Sequence, residues 1–416
     1  MYHFSLLCGY YIIRPLRDEM GIAGGVEKLQ WMFSGTFVVM LAAVPLFGWA
    51  ARRFAPRRLL VYVYLFFIGN LLLFFALFRS GIAPAGIARA FFIWASVYNL
   101  FIVSVFWSFM ADIFTSARAA RLFGIIAAGG TAGALAGPAL AAALVMPFGP
   151  PVLLLFSAGF LAVAVLCIRR LASWKDQEKA MPDARHAGTR ESASAPENER
   201  AIGGGVLAGI RLVFSSPYLA GICAFMLLFT TLSTFLYFQQ AHIVRAYLDD
   251  PSRRMAFFAG MDFAVNALTL AVQVFLTGRI VGRFGIGISL AAVPALLTAG
   301  FAFLGAMPAL GTIVAVQVVR RAGDYALTRP GREMLYVVLG REEKYKAKNF
   351  IDTVVYRGGD ALSAWAYAAM GGLGLSVAGT AFAAMPLAAL WAWIAWRLGL
   401  RQETLAAAEK GTHGGR

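Results

Sequence analysis

An all-α polytopic membrane protein of twelve transmembrane helices in two six-helix halves is the fold class that this chain predicts. Three observations carry the prediction. Apolar runs of about 20 residues recur from end to end of a chain that is 60% hydrophobic and only 14% charged. Each run is long enough to cross a ~30 Å hydrocarbon core as a helix with its backbone amides satisfied internally. A polar stretch at 171–205 divides the runs six and six. Finally, the basic turn that carries Gly48, Arg52, Arg53 and Arg57 returns about 230 residues later with Gly278, Arg279, Arg283 and Gly285. Such duplication marks membrane carriers built from two similar halves.

The runs fall at 1–22, 29–50, 58–79, 86–111, 121–145, 149–170, 217–241, 255–276, 287–306, 308–328, 349–374 and 376–398. The first is apolar to Ile13, meets Arg14 and lacks a small-residue cleavage site, so it reads as a span and not a secretory signal. It either starts upstream of Met1 or continues through the charged cluster to Ile22. The second and third flank the first basic turn, and the eighth and ninth flank its echo. The fifth opens on Arg121 and Phe123 and the eleventh on Lys348 and Phe350, each entering paired glycines (Gly129 and Gly130; Gly358 and Gly359). Within the fifth, Gly129, Gly133 and Gly137 recur every fourth residue, a face that lets another helix come close, and Pro138 interrupts the hydrogen-bond ladder. Stretch 171–205 alternates charges with Ser, Ala, Pro and Gly and cannot build a core, which predicts a disordered linker. The expected organisation is therefore a six-helix bundle at 1–170, the linker at 171–205, a second bundle at 206–400 and a tail at 401–416.

The formal charge is +16, and its distribution says why. The connections on the side of the linker hold about three times as many Lys and Arg as those on the other side, the bias of positive-inside topology. Both termini and the linker are thus expected in the cytoplasm, in a bacterial-type inner membrane. The charge is topological, and no basic stripe interleaved with aromatics points to nucleic acid. Cys8, Cys167 and Cys223 lie far apart in apolar runs, and His3, His186, His242 and His413 are scattered. Neither set has metal-ligand spacing. No enzyme, metal or cofactor is expected, and the partners are a bilayer and a small anionic solute, with the chain acting as a monomer.

Charges inside the runs carry the functional signal, because an ionisable side chain at mid-membrane costs about 2.5–3.5 kcal/mol and needs a partner or a wet cavity. Arg14, Arg17 and Asp18 share one face if the first helix continues. They read as an anion-binding arginine pair held by a carboxylate, or as a collar at the helix end. Arg320 and Arg321 share Asp324, at i+4 or i+3, which leaves one arginine without a local partner. A bound anion, or Asp262 or Asp360 from another helix, would neutralise it. Arg357 and Asp360 stand three apart beside the paired glycines. Asp262, Asn266 and Gln273 form a polar stripe that either faces a cavity or bridges helices. Guanidinium groups grip phosphate and carboxylate through parallel hydrogen bonds, so this set favours organic anions over sugars or cations.

Two halves joined by a long loop resemble the major facilitator superfamily. Its turn pattern Gly-x3-Asp-Arg-x-Gly-x-Arg/Lys is kept in part by Gly48, Arg53 and Arg57 and by Gly278, Arg283 and Gly285, with Arg52 and Gly282 at the aspartate positions. Gly124, Gly133, Gly137 and Pro138 are similar to the superfamily's antiporter motif. One branch is closer still. Tyr10, Arg14, Arg17 and Asp18, then Phe106, Trp107, Phe109, Arg121 and Phe123, then Arg332, Glu333, Tyr336, Lys344, Lys346, Lys348, Ile351 and Asp352 resemble, in order and spacing, the motifs of the ATP/ADP exchange transporters. Arg17 replaces that family's lysine, and no acid stands between Arg79 and Asp112, where other members carry a glutamate.

The resemblance implies alternating access with exchange of organic phosphate-type anions. Arg14, Arg17, Arg121, Lys348 and Arg357 would attract the anion, and Asp18 and Asp360 would orient them in the empty site. Asp262, Asn266, Arg320 and Asp324 are candidates for proton carriage or helix pairing. A proton-coupled facilitator for another small solute, with Asp262 or Asp360 as carrier, and a non-transporting protein on the same scaffold stand as alternatives.

Overall fold

A computed structural model describes residues 1–53, 56–113, 116–180, 213 and 215–413 of the chain. The first half contains α1 (Tyr2–Ala23), α2 (Leu29–Arg53), α3 (Pro56–Ser80), α4 (Pro84–Ile113), α5 (Ser116–Phe148) and α6 (Val152–Ala180). The second contains α7 (Pro217–Tyr247), α8 (Pro251–Val272), α9 (Gly278–Ala306), α10 (Leu310–Gly323), α11 (Arg329–Leu335), α12 (Arg341–Phe350), α13 (Tyr356–Gly372) and α14 (Val377–His413). No strand occurs among the described residues.

Three π-helical turns join these pieces into longer rods: Gln273–Thr277 between α8 and α9, Asp324–Thr328 between α10 and α11, and Ile351–Val355 between α12 and α13. The real break in this region lies inside α9, where Gly285 adopts φ 73°, a conformation that glycine enters without steric cost. Beyond it, the Ile286 amide is capped by Glu403 Oε1 at 2.9 Å. Counted this way, the described residues trace twelve helical rods.

Seven stretches are long and apolar enough to cross a membrane, and the 56-residue Pro251–Ala306 is two of the rods joined. Rods α1, α2, α10–α11 and α12–α13 fall outside that set, and α1, α10–α11 and α12–α13 carry the inward-facing charges. α1 runs without interruption through Pro15 and the charged cluster to Ala23, so the first span does continue past Arg14. α6 extends to Ala180, ten residues into the stretch expected as linker; residues 181–205 lie outside the described residues. The expected tail begins as a packed helix, with Gln402 buried and Glu403 serving as the cap.

Burial sorts the side chains into two apolar cores. One joins Leu6, Ile13, Tyr64, Phe91, Phe106 and Leu161, from α1, α3, α4 and α6; the other joins Phe225, Leu236, Phe301, Tyr336 and Trp391 from the second half. The second core also takes in Ile22, Val26, Leu29 and Met32 from the α1–α2 connection, so the halves are packed together at that end. Large apolar residues such as Phe66, Leu73, Phe275 and Phe303 are exposed on the outside, as expected of a surface solvated by lipid tails.

The small-residue face of α5 packs on α1. A Cβ added to Gly133 would strike the Phe4 carbonyl and the Cys8 amide, and one on Gly137 would strike Tyr11 and the Cys8 carbonyl. The third close approach is Gly130 against the His3 ring, whereas Gly129 has nothing within 4 Å. The face therefore turns one residue away from strict four-residue spacing. Gly133→Leu should force α1 and α5 apart, and loss of a monodisperse peak in detergent size-exclusion chromatography checks this. Gly129→Leu should leave the peak unchanged.

Candidate functional site

A cavity of about 740 Å³ lies between the two halves, walled by α1, α2 and α4 on one side and by α7, α10–α11 and α13 on the other. Seven arginines line it (Arg14, Arg17, Arg320, Arg321, Arg329, Arg332, Arg357) against four aspartates (Asp18, Asp324, Asp352, Asp360). The two π turns in its wall account for part of this. A π turn holds an extra residue and so rotates the face that follows it. In α10–α11 this brings Arg320, Asp324, Tyr325, Thr328, Arg329 and Arg332 to the same wall, and in α12–α13 it does so for Asp352, Tyr356, Arg357 and Asp360.

Each charge has a defined setting. Asp262, on α8 and fully buried, receives Arg321 Nη2 at 2.5 Å and stands 3.6 Å from Arg14 Nε. Arg17 reaches Asp18 at 3.4 Å, donates to Ser96 Oγ at 3.0 Å and lies 4.4 Å from the Phe92 ring centre. Tyr237, from the second half, donates to Asp18 at 3.2 Å. Arg357 lies 3.8 Å from Asp360, to which Thr234 donates at 3.4 Å. Arg329 pairs with Asp324 at 3.2 Å and lies 4.3 Å from the Tyr325 ring centre. Arg332 pairs with Asp352 at 3.4 Å. Arg320 is held by Ser233 and Gln317 instead. A guanidinium over a ring face gains cation–π attraction and loses freedom, so several of these groups are fixed before any cargo arrives.

The cavity is shut at the α1–α2 end. Arg254 donates two hydrogen bonds of 2.6 Å to fully buried Glu19 and two of 3.0 Å to the carbonyls of Leu248 and Asp249. Arg245 reaches Glu27 at 2.5 Å, and Trp365 donates to Ser34 at 3.0 Å. The Glu27 carboxyl is held below its ordinary range, first by a hydrogen bond from its own backbone amide and then by Arg245. Deeper in, Asn266 donates to the Ala134 carbonyl at 2.9 Å. Among the described residues, polar contacts between the halves run from mid-membrane to this end. Arg332, Asp352 and Thr353 line the cavity toward the other end.

Of the residues singled out from the sequence, Arg14, Arg17, Asp18, Arg357, Asp360, Arg320 and Asp324 line this one cavity. Lys348 does not; it is bound to Glu333 at 2.5 Å. The Arg121 side chain lies outside the described residues. Asp262 and Asn266 stand behind the wall and tie helices together, and Gln273 donates to the Tyr325 carbonyl. Asp324 takes neither Arg320 nor Arg321 but Arg329, a residue that sequence reasoning had placed in a connection. The continued spacing Arg321, Tyr325, Arg329 was the signal that could have found it. Tyr237, Gln240, Gln317 and Tyr325 were missed as well, since neutral polar residues in apolar runs carry no sign of what they face.

Residues 2–323 match the family model described as Major Facilitator Superfamily. The chain is 23% identical over 301 residues to "ADP,ATP carrier protein 1" of Chlamydia muridarum (strain MoPn / Nigg), an alignment that covers 65% of this chain and 56% of that protein. The chain thus spans little more than half the length of that relative. Among solved structures, a bacterial homologue of the iron transporter ferroportin in an inward-facing state aligns with TM-score 0.65 at 11% identity, covering 96% of each chain. The nucleoside transporter NupG aligns at 0.61 and 13% identity over 97% of each. An auto-inhibited POT family peptide transporter aligns at 0.60 and 15% identity, over 98% of this chain and 96% of that one.

Asp262→Asn should remove the shared counter-charge of Arg14 and Arg321 and destabilise the protein by about 3–5 kcal/mol, the usual result of breaking a buried pair from one side. A lowered melting temperature in detergent checks it. Arg329→Gln, at the half-exposed pair with Asp324, should change the melt far less.

Proposed function

Because the chain belongs to the Major Facilitator Superfamily, we propose that it exchanges organic phosphate-type anions, nucleotides among them, by alternating access of its two halves. The single observation that carries this reading is the wall of seven arginines, contributed by both halves, around one cavity. Four aspartates on the wall and Asp262 behind it leave the region with excess positive charge. An anion is the cargo such a wall attracts, and guanidinium forks fit phosphate oxygens in pairs.

Size and aromatic content agree. About 740 Å³ lies within the ~300–1,000 Å³ range of small-molecule sites. Tyr10, Tyr11, Phe33, Phe37, Phe229, Tyr325 and Tyr356 offer ring faces on the same wall, against which a planar base can stack. The 23% likeness to a protein named an ADP,ATP carrier points the same way.

Exchange follows from charge. Closing around an empty cavity would strip water from arginines that lack full compensation, and desolvating an ion costs several kcal/mol. A bound anion offsets that cost in both directions of travel, so the return step also requires cargo. The positive-inside bias supports an orientation with both termini and the linker on the cytoplasmic side, and the membrane we propose is a bacterial-type inner membrane. On that orientation the cavity faces inward and the Glu19–Arg254 end faces out. Arg14, Arg17 and Arg357 meet the anion, with Asp18 and Asp360 holding the last two in the empty state.

Purified protein in liposomes loaded with unlabelled ATP or ADP should take up labelled ATP or ADP, and unloaded liposomes should not. Arg17→Ala and Arg357→Ala should each cut this exchange at least tenfold while leaving the folded peak in detergent intact. Uptake driven by acidification without internal nucleotide would replace exchange by proton coupling.

A further inference from the structure

Arg320 differs from the other six cavity arginines, each of which lies within 4.0 Å of a carboxylate. Among the described residues no carboxylate reaches Arg320. Its partners are neutral: Nη1 donates to Ser233 Oγ at 2.8 Å, while Nε and Nη2 donate to Gln317 Oε1 at 3.3 and 3.1 Å. Gln317, only 2% exposed, donates through Nε2 to Gln240 Oε1 at 2.8 Å. That bond fixes the amide with its oxygen toward the guanidinium. The chain Gln240–Gln317–Arg320 is thus polarised in one direction and ends at the cavity wall on a guanidinium that no carboxylate touches; the nearest opposing charge, Asp324, is engaged by Arg329.

Depth makes this arrangement informative. Arg320 lies ten residues below Leu310, about 15 Å along the helix, and so near the centre of a ~30 Å core. Water in an open cavity solvates it there. Once the cavity closes, an arginine with only neutral acceptors is costly, and a structural role would have supplied a carboxylate, as at every other arginine of the wall. The neutral partners have a second consequence. An anion arriving at Arg17 or Arg357 must share the guanidinium with a resident aspartate, whereas one arriving at Arg320 displaces no hydrogen-bonded carboxylate and feels Asp324 only at longer range. Hydrogen bonds to Ser233 and Gln317 hold the group still and occupy three of its N–H bonds, leaving the rest of the planar fork for a ligand.

We propose that Arg320 is the anchoring point for the anionic group of the cargo, where two oxygens of a phosphate-type oxyanion are gripped at mid-membrane. This rests on the anion-exchange reading and deepens it. The other arginines steer and enclose, while Arg320 discriminates for an oxyanion with paired oxygens over a monatomic anion.

The test is thermal unfolding of the full-length detergent-purified protein with ADP, pyrophosphate, inorganic phosphate or chloride at constant ionic strength. The wild type should be stabilised by ADP and pyrophosphate and not by chloride. Arg320→Gln should melt at or above the wild-type temperature without ligand, because it removes a cation that no carboxylate touches, and should lose the ligand-induced shift, with apparent Kd at least tenfold weaker. Arg320→Lys, which keeps the charge but not the fork, should weaken binding several-fold. If Arg320→Gln or Arg320→Lys keeps the wild-type shift and concentration dependence, the anchor is elsewhere and the anion reading survives. If Arg320→Gln melts well below wild type without ligand, Arg320 is structural and the proposal is overturned. If none of the phosphate anions shifts the wild type, both the anchor and the anion-exchange reading fall.

Discussion

A single carboxylate, Asp262, decides how the two halves can meet. It has no exposure to solvent, belongs to α8, and takes Arg321 from α10 and Arg14 from α1. An ionised group at that depth persists only if its partners stay with it, so α1, α8 and α10 are held together at one level. One turn along α8, Asn266 reaches the Ala134 carbonyl of α5, which extends the contact to the helix that packs closely on α1. Asp262 and Asn266 therefore point away from the cavity and join the halves behind it, while Gln273 bonds within the second half. Arg14 and Arg321 then project toward the cavity from fixed positions.

Helical periodicity alone would not line the wall this way. A strict α-helix spreads residues 320 to 332 around its circumference. The π turn at Asp324–Thr328 shifts the register so that Tyr325 and Arg329 stay on the side of Arg320. Its counterpart at Ile351–Val355 does the same for Asp352 ahead of Arg357 and Asp360. Two of the three π turns thus lie where the cavity charges are, and the third, with the Gly285 break, lies on the lipid-facing α8–α9. The two rods with π turns at the cavity, α10–α11 and α12–α13, fall short as apolar spans because of the same charges that line the site.

The all-helical membrane fold and the charged helices were legible because each rests on local composition. Twenty apolar residues cannot be mistaken for a loop, and an arginine among them is conspicuous. Pairing was not legible. Asp324 is placed by spacing to serve Arg320 or Arg321, yet the π turn redirects it to Arg329, and no pattern in the sequence announces a π turn. Likewise, Gly130 and not Gly129 meets α1, through the His3 ring, and four-residue spacing alone does not say which of two adjacent glycines faces the neighbour. Lys348 carries a motif resemblance but sits on amphipathic α12 with Glu333 as its partner; a motif records that a residue is kept, not which side of a wall it occupies. Glu19 follows Asp18 in the sequence, and only the fold places Arg254 against it from 235 residues away.

The two ends of the molecule then have different electrostatic economies. At the shut end the ion pairs are matched: Glu19 with Arg254, Glu27 with Arg245. Opening there exchanges each pair for water, which solvates both charges, so the cost is modest and the step is reversible. Around the cavity the charges are not matched, and closing removes water from a net positive wall. On the exchange reading this asymmetry is the coupling device. The closed end opens readily only after the other end has closed, and that closure is favourable only with an anion inside. The cargo is then part of the low-energy occluded state, and the empty carrier stays at the membrane face where it released its load until another anion enters.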